Sequence, residues 1–143
     1  MNLEYESAGA ADVPVIFAQA QALVDAYEDV TAIDYDRVMD WMQRKITKLV
    51  GSYTRVRRDG VICAYYRLTT DGEVDDFYVL PAFRGQGIGS AILEKCLRES
   101  EKPLWLYVFT KNTRAVALYE RFGFRVAERV DNTRVIMRQE KKV

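Results

Sequence analysis

The segment Arg84-Gly85-Gln86-Gly87-Ile88-Gly89 lies between a β-patterned run and a helix-patterned one. That order suits an anion. The first N–H groups of a helix have no partner within it, and the macrodipole adds partial positive charge there. Glycines let such a backbone approach a diphosphate without side-chain obstruction, and Arg84 adds a fixed positive charge beside it. Two other phosphate motifs fit poorly. A P-loop needs Gly-Lys-Ser/Thr, and Gly89-Ser90-Ala91 lacks the lysine; a dinucleotide fingerprint needs a third glycine where Ser90 stands. The chain has no histidine, so Ser-His-Asp and Cys-His machinery is excluded, as are the usual histidine-bearing zinc sites. Proton transfer falls to Asp, Glu, Tyr, Cys, Lys or a terminus.

The elements that must position this turn are legible in the pattern. Alternation in residues 2–7 predicts a first strand. Asp12 before Val13-Pro14 predicts an N-cap for a helix reaching about Tyr27. After a polar break, Val38, Trp41, Met42, Ile46 and Leu49 mark a second helix whose Trp41 and Met42 read as core. Residues 53–57 and 61–68 predict a hairpin across Arg58-Asp59-Gly60, and residues 73–80 an antiparallel strand stopped by Pro81. Ile88, Ile92, Leu93, Cys96 and Leu97 form a helical stripe. Residues 104–108 read as a strand buried on both faces. Ala115, Leu118, Tyr119 and Phe122 mark a last helix capped by Asn112 or Thr113 and ended at Gly123. Residues 124–128 and 134–137 complete the strands, and Lys141-Lys142-Val143 reads as a frayed tail. The expected fold class is α/β with a mixed sheet, β-α-α-β-β-β-α-β-α-β-β, in a single domain over 1–143.

The central motif satisfies every defined position of Arg/Gln-x-x-Gly-x-Gly/Ala, and Asn112…Ala115…Leu118-Tyr119-Glu120-Arg121-Phe122-Gly123-Phe124 matches a second signature. On these residues the chain resembles the GNAT superfamily of N-acetyltransferases, and the element order extends the likeness over nearly its whole length. The resemblance implies acetyl-coenzyme A as co-substrate, no metal, and direct attack of a primary amine on the thioester. The backbones of Phe77 and Val79 would hold the pantetheine arm like an added strand. Arg84, Gly85, Gln86, Gly87, Gly89 and Ser90 would receive the pyrophosphate, and Asn112 would reach the pantetheine or the phosphates. Tyr119 stands at the family's thiolate-protonating tyrosine, although its place on an apolar stripe also suits core packing. The base would be Asp75 or Glu73. Period two puts both on one strand face and Asp76 on the other.

The acceptor is expected to be a small-molecule or peptidyl amine. Glu28, Asp29, Asp34 and Asp36, interleaved with Tyr27 and Tyr35, suit a cation, although such loops are more often solvated surface. Tyr65 and Tyr66 alternate across their strand, so one of them is expected at the cleft. Lys111 and Arg114 are candidates for the cofactor's 3′-phosphate. Lys plus Arg and Asp plus Glu number 21 each, so neither a nucleic-acid partner nor a membrane is expected. No signal-like start or ~20-residue apolar run is present, and Cys63 and Cys96 read as buried free thiols of a cytoplasmic protein. A homodimer is compatible with the resemblance. The alternative is a non-catalytic acetyl-coenzyme A sensor on the same fold.

Overall fold

The computed structural model describes residues 1–140. Its elements run β1 (Leu3–Ser7), α1 (Val13–Tyr27), α2 (Tyr35–Leu49), β2 (Thr54–Arg58), β3 (Val61–Leu68) and β4 (Val74–Val79). Then follow α3 (Ile88–Glu99), β5 (Trp105–Phe109), α4 (Thr113–Arg121), β6 (Phe124–Arg129) and β7 (Arg134–Gln139). The expected order is therefore present, with boundaries moved by a residue or two. The tail expected at Lys141–Val143 lies outside the described residues. One sheet runs β1-β2-β3-β4 and the other β5-β7-β6. By contacts the described chain divides into two units. One holds Met1–Arg67 and Asp76–Ile88; the other holds Leu68–Asp75 and the described residues from Gly89 onward.

In the first unit, α1 and α2 pack together, and the core gathers Ile16, Ala20, Ile46, Tyr53, Tyr65 and Tyr78. Helical spacing explains this for Ile16 and Ala20, which recur four residues apart on one face. On α2 the buried residues are Met39 and Ile46, whereas Trp41 is 56% exposed. The expectation that Trp41 belongs to the core is thus corrected: the inward stripe of α2 runs through Met39, Met42 and Ile46, and Trp41 lies about 200° round the helix from Met39. Tyr65 and Tyr66 are both buried, which corrects the expectation that one of them lines a cleft. Alternation puts them on opposite faces, and each face is covered.

Asp12 also plays a different part from the one expected. It stands at the N-terminus of α1, but its side chain makes no capping bond to that helix. Its carboxylate instead accepts from Gly9 N–H (2.8 Å), Tyr65 O–H (2.6 Å) and Arg55 (2.9 Å), with 3% of the residue exposed. Burial pushes its pKa up, but the bonds from Tyr65, Gly9 and Arg55 outweigh that and hold it below the usual carboxylate value. A depressed folded-state pKa gives stability that is full above the unfolded value and lost as pH falls past it. Asp12→Asn should therefore cost about 2–3 kcal/mol at neutral pH. In chemical denaturation the gap to wild type should narrow as pH falls below about 4.

In the second unit, Leu104, Leu106 and Val108 are buried while Tyr107 is 46% exposed. This corrects the reading of the strand as buried on both faces. The pairing explains it: β5 runs antiparallel to β7 in the β5-β7-β6 sheet, and an antiparallel sheet can keep one face in water. One of its faces stays wet, with Trp105 and Tyr107 under the guanidinium groups of Arg138 and Arg134. Ile92, Leu93 and Cys96 of α3 are fully buried, and both cysteines are free thiols. Burial raises both thiol pKa values, that of Cys96 to about 12, so neither is a ready nucleophile.

Gly72 fixes where β4 starts relative to β5. Its φ is +94°, and a Cβ there would stand 2.5 Å from the Pro103 carbonyl oxygen. Its own carbonyl accepts from Trp105 N–H at 3.0 Å, beside a parallel bridge between Glu73 and Trp105. Gly72→Ala adds left-handed strain and a backbone clash, so it should cost about 2–4 kcal/mol. Thermal denaturation should then show a midpoint lower by roughly 10 °C.

Candidate functional site

The glycine turn begins where β4 stops. Pro81 cannot donate to a sheet ladder and opens a short 3-10 turn over Pro81–Phe83. Gly85 (φ +76°) and Gly87 (φ +81°) then take left-handed conformations that L side chains rarely adopt. A Cβ at Gly85 would meet nothing within 4 Å, and one at Gly87 only the end of the Met1 side chain at 3.7 Å. Backbone conformation, and not crowding, is what requires glycine here. Ile88, 1% exposed, seats the first turn of α3. No acidic residue stands in that turn, so no side-chain carboxylate there offsets the positive end of the dipole.

Side chains brace this turn from within the same unit. Arg84 Nε donates to the Val79 carbonyl at 3.2 Å, tying the turn back to β4. The Arg58 guanidinium donates to Gln86 Oε1. Arg84, Gly85, Gln86 and Gly87 are all exposed. Phe77 and Val79 share this unit, on the terminal strand in the order β1-β2-β3-β4. The turn is therefore exposed and leads directly into a helix start, where main-chain N–H groups are able to meet an anion.

Glu73, Asp75, Gly89, Ser90, Asn112 and Tyr119 belong to the second unit. Asn112 caps α4, its Oδ1 accepting from Ala115 N–H at 3.3 Å. Tyr119 is buried, with its ring centroid 5.7 Å from that of Phe124. Burial raises the pKa of its phenol above the ordinary tyrosine value, so the group is a neutral O–H donor throughout the neutral range. Glu73 precedes β4, its N–H donating to Thr69 Oγ1 at 3.0 Å, while Asp75 lies within the strand. The period-two reading of this strand breaks at Asp76, whose φ is +46°.

That break exposes a group which pattern reasoning missed. Period two puts Asp76 on the face opposite Glu73 and Asp75, and there its carboxylate gathers three donors. Oδ2 accepts from Tyr53 O–H (2.5 Å) and Lys45 Nζ (3.3 Å), and Oδ1 from Tyr78 O–H (2.7 Å). The signal available was Asp75-Asp76 itself, two residues of poor strand propensity in mid-strand. Of the inter-helix carboxylates, Glu28, Asp29 and Asp34 accept bonds from neighbours close in sequence. Asp34 caps α2 through Arg37 N–H, Asp29 holds the Thr31 turn, and Tyr35 O–H donates to Asp25. Lys111 and Arg114 are exposed. Among the described residues no helix is long and apolar enough to cross a membrane.

The chain is 45% identical over 51 residues to the [ribosomal protein bS18]-alanine N-acetyltransferase of Escherichia coli K12, covering 33% of this chain and 34% of that protein. It is 33% identical over 78 residues to an uncharacterised N-acetyltransferase of Mycobacterium bovis, covering 49% and 50%. The matches thus span between a third and a half of these relatives' length. Among solved structures, apo YjaB of Escherichia coli superposes with a TM-score of 0.75 at 20% identity, over 96% of this chain and 97% of that one. The Paia N-acetyltransferase of Thermoplasma acidophilum, solved with coenzyme A, gives 0.70 at 16%, over 99% and 100%. These likenesses establish the fold. The model of the acetyltransferase (GNAT) family matches residues 20–124, taking in the glycine turn, α3, β5 and α4, and the chain belongs to that family.

Proposed function

We propose that this protein transfers an acetyl group from acetyl-coenzyme A to a primary amine of a small molecule or peptide, the two units working as one N-acetyltransferase domain. The observation that carries the reading is the turn Arg84–Gly87, with Gly85 and Gly87 left-handed immediately before α3. Main-chain N–H groups from this turn and from Gly89 and Ser90 would bind the pyrophosphate. Phe77 and Val79 would pair with the pantetheine amides as strand partners. Asn112, besides capping α4, would meet the pantetheine or phosphate portion. The pairing of the family match with a relative named as an alanine N-acetyltransferase supports an amine acceptor.

The amine attacks the thioester carbonyl carbon, the tetrahedral intermediate collapses, and the C–S bond breaks. The ammonium proton must leave before attack, and the departing thiolate must be protonated. Asp75 or Glu73 would accept the ammonium proton before attack, Tyr119 would protonate the departing thiolate, and the second amine proton, released as the amide forms, would restore the Tyr119 phenol. The deciding experiment is thiol release from acetyl-coenzyme A with a panel of polyamines, amino acids, aminoglycosides and peptide N-termini. Amine-dependent turnover supports transfer. Tight cofactor binding with no turnover on any acceptor would instead favour a non-catalytic sensor.

A further inference from the structure

The Asp76 cluster is not used by the chemistry above. Its parts come from three elements of the first unit: Lys45 from α2, Tyr53 just before β2, and Asp76 and Tyr78 from β4. Tyr53 and Tyr78 are 1% and 8% exposed, so the phenols form the closed side of the cluster. The Lys45 and Asp76 side chains keep 20% and 17% of their surface exposed, so this side of the cluster is not sealed from solvent. Lys45 Nζ makes the longest of the three contacts to Asp76. It also lies 5.6 Å from the centre of the exposed Trp41 ring. A carboxylate backed by hydrogen-bonding phenols, with an aromatic face nearby, is the chemistry that recognises an ammonium ion.

The backbone argues in the same direction. Asp76 is held at φ +46°, a region few non-glycine residues enter and which Asp and Asn enter most readily. The strand break turns a charged side chain towards α2 next to Phe77, the first residue assigned to the pantetheine arm.

We propose that Asp76, with the phenols of Tyr53 and Tyr78, forms the ammonium seat for the acceptor amine, and that Lys45 fills this seat in the free protein. The acceptor role rests on the acetyltransferase reading; the seat itself does not. An incoming primary amine displaces the Lys45 ammonium, which swings outward over Trp41. The residue thus selects acceptors that present an unhindered primary ammonium and rejects quaternary ones, which have no N–H to donate.

The first test needs no cofactor. Lys45→Met vacates the seat, and its thermal midpoint is read in n-propylammonium chloride against tetramethylammonium chloride at equal ionic strength. The expected result is a rise of several degrees with n-propylammonium alone, a smaller rise in wild type, and none once Asp76→Asn is added. Equal responses to both salts, or a response that survives Asp76→Asn, overturns the seat. The second test is kinetic. Asp76→Asn keeps a residue tolerant of positive φ and removes only the charge. It should raise KM for the best acceptor of the amine panel about tenfold with KM for acetyl-coenzyme A unchanged. An unchanged acceptor KM, or an equal rise in both constants, overturns the acceptor role. Failure of wild type to bind acetyl-coenzyme A in calorimetry would overturn the acetyltransferase reading instead, while the thermal arm still decides the seat.

Discussion

Gly87→Glu will abolish acetyl-coenzyme A binding in isothermal titration while leaving the fold intact. Two effects add. Gly87 sits at φ +81°, so any L side chain there is strained by about 1–2 kcal/mol. That part is a stability cost a folded protein can bear, because a Cβ at Gly87 would meet only the flexible end of Met1. The second effect falls on binding. A carboxylate at this point would sit at the positive end of α3, where the pyrophosphate is proposed to lie, and would replace attraction by repulsion between like charges. Gly87→Ala separates the two, since it carries the strain without charge; its affinity should fall far less. Unchanged affinity in Gly87→Glu would remove the turn from the cofactor site. A melted Gly87→Glu protein would show that strain, and not charge, dominates.

Tyr119→Phe should lower kcat by about 10²-fold or more and leave KM for acetyl-coenzyme A nearly unchanged. The substitution removes one oxygen and keeps the ring that packs against Phe124 at 5.7 Å, so the α4–β6 contact survives. Burial raises the phenol's pKa, and this has a direct consequence for the pH profile. The group stays protonated well past neutrality, so loss of activity on the alkaline side should not begin at the ordinary tyrosine value of about 10. On the acid side, the rate should fall as the attacking amine and its carboxylate base become protonated. A Tyr119→Phe enzyme with wild-type kcat would assign Tyr119 to packing alone and shift thiolate protonation to water.

Local pattern and tertiary packing contributed differently to these expectations. The turn Arg84–Gly89 and the cap at Asn112 were legible from residue order because the forces behind them act within a few residues. A left-handed glycine, a proline that stops a strand and an Asn side chain bonded three residues on depend little on the rest of the chain. Helix stripes such as Ile88, Ile92 and Cys96 follow from a fixed period. The family likeness adds to this because two such local signatures occur in order.

The exposure of Trp41, the burial of both Tyr65 and Tyr66, and the bonding of Asp12 and Asp76 were not legible for a shared reason: each depends on a partner distant in sequence. Whether Trp41 lies inside or outside is decided by which side of α2 meets α1. Asp12 looked like a helix cap until Tyr65 and Arg55, 53 and 43 residues away, were seen to claim its carboxylate. Period two puts Asp76 on the face opposite Asp75, but only folding brings its carboxylate to Lys45 and Tyr53, 31 and 23 residues away. By itself, then, the sequence determined the order of elements, the glycine turn before α3 and the absence of histidine chemistry, because those rest on short-range geometry and composition. Only the tertiary structure decided which carboxylates are structural and which are presented to solvent, because a charge takes its role from the partners that folding brings to it.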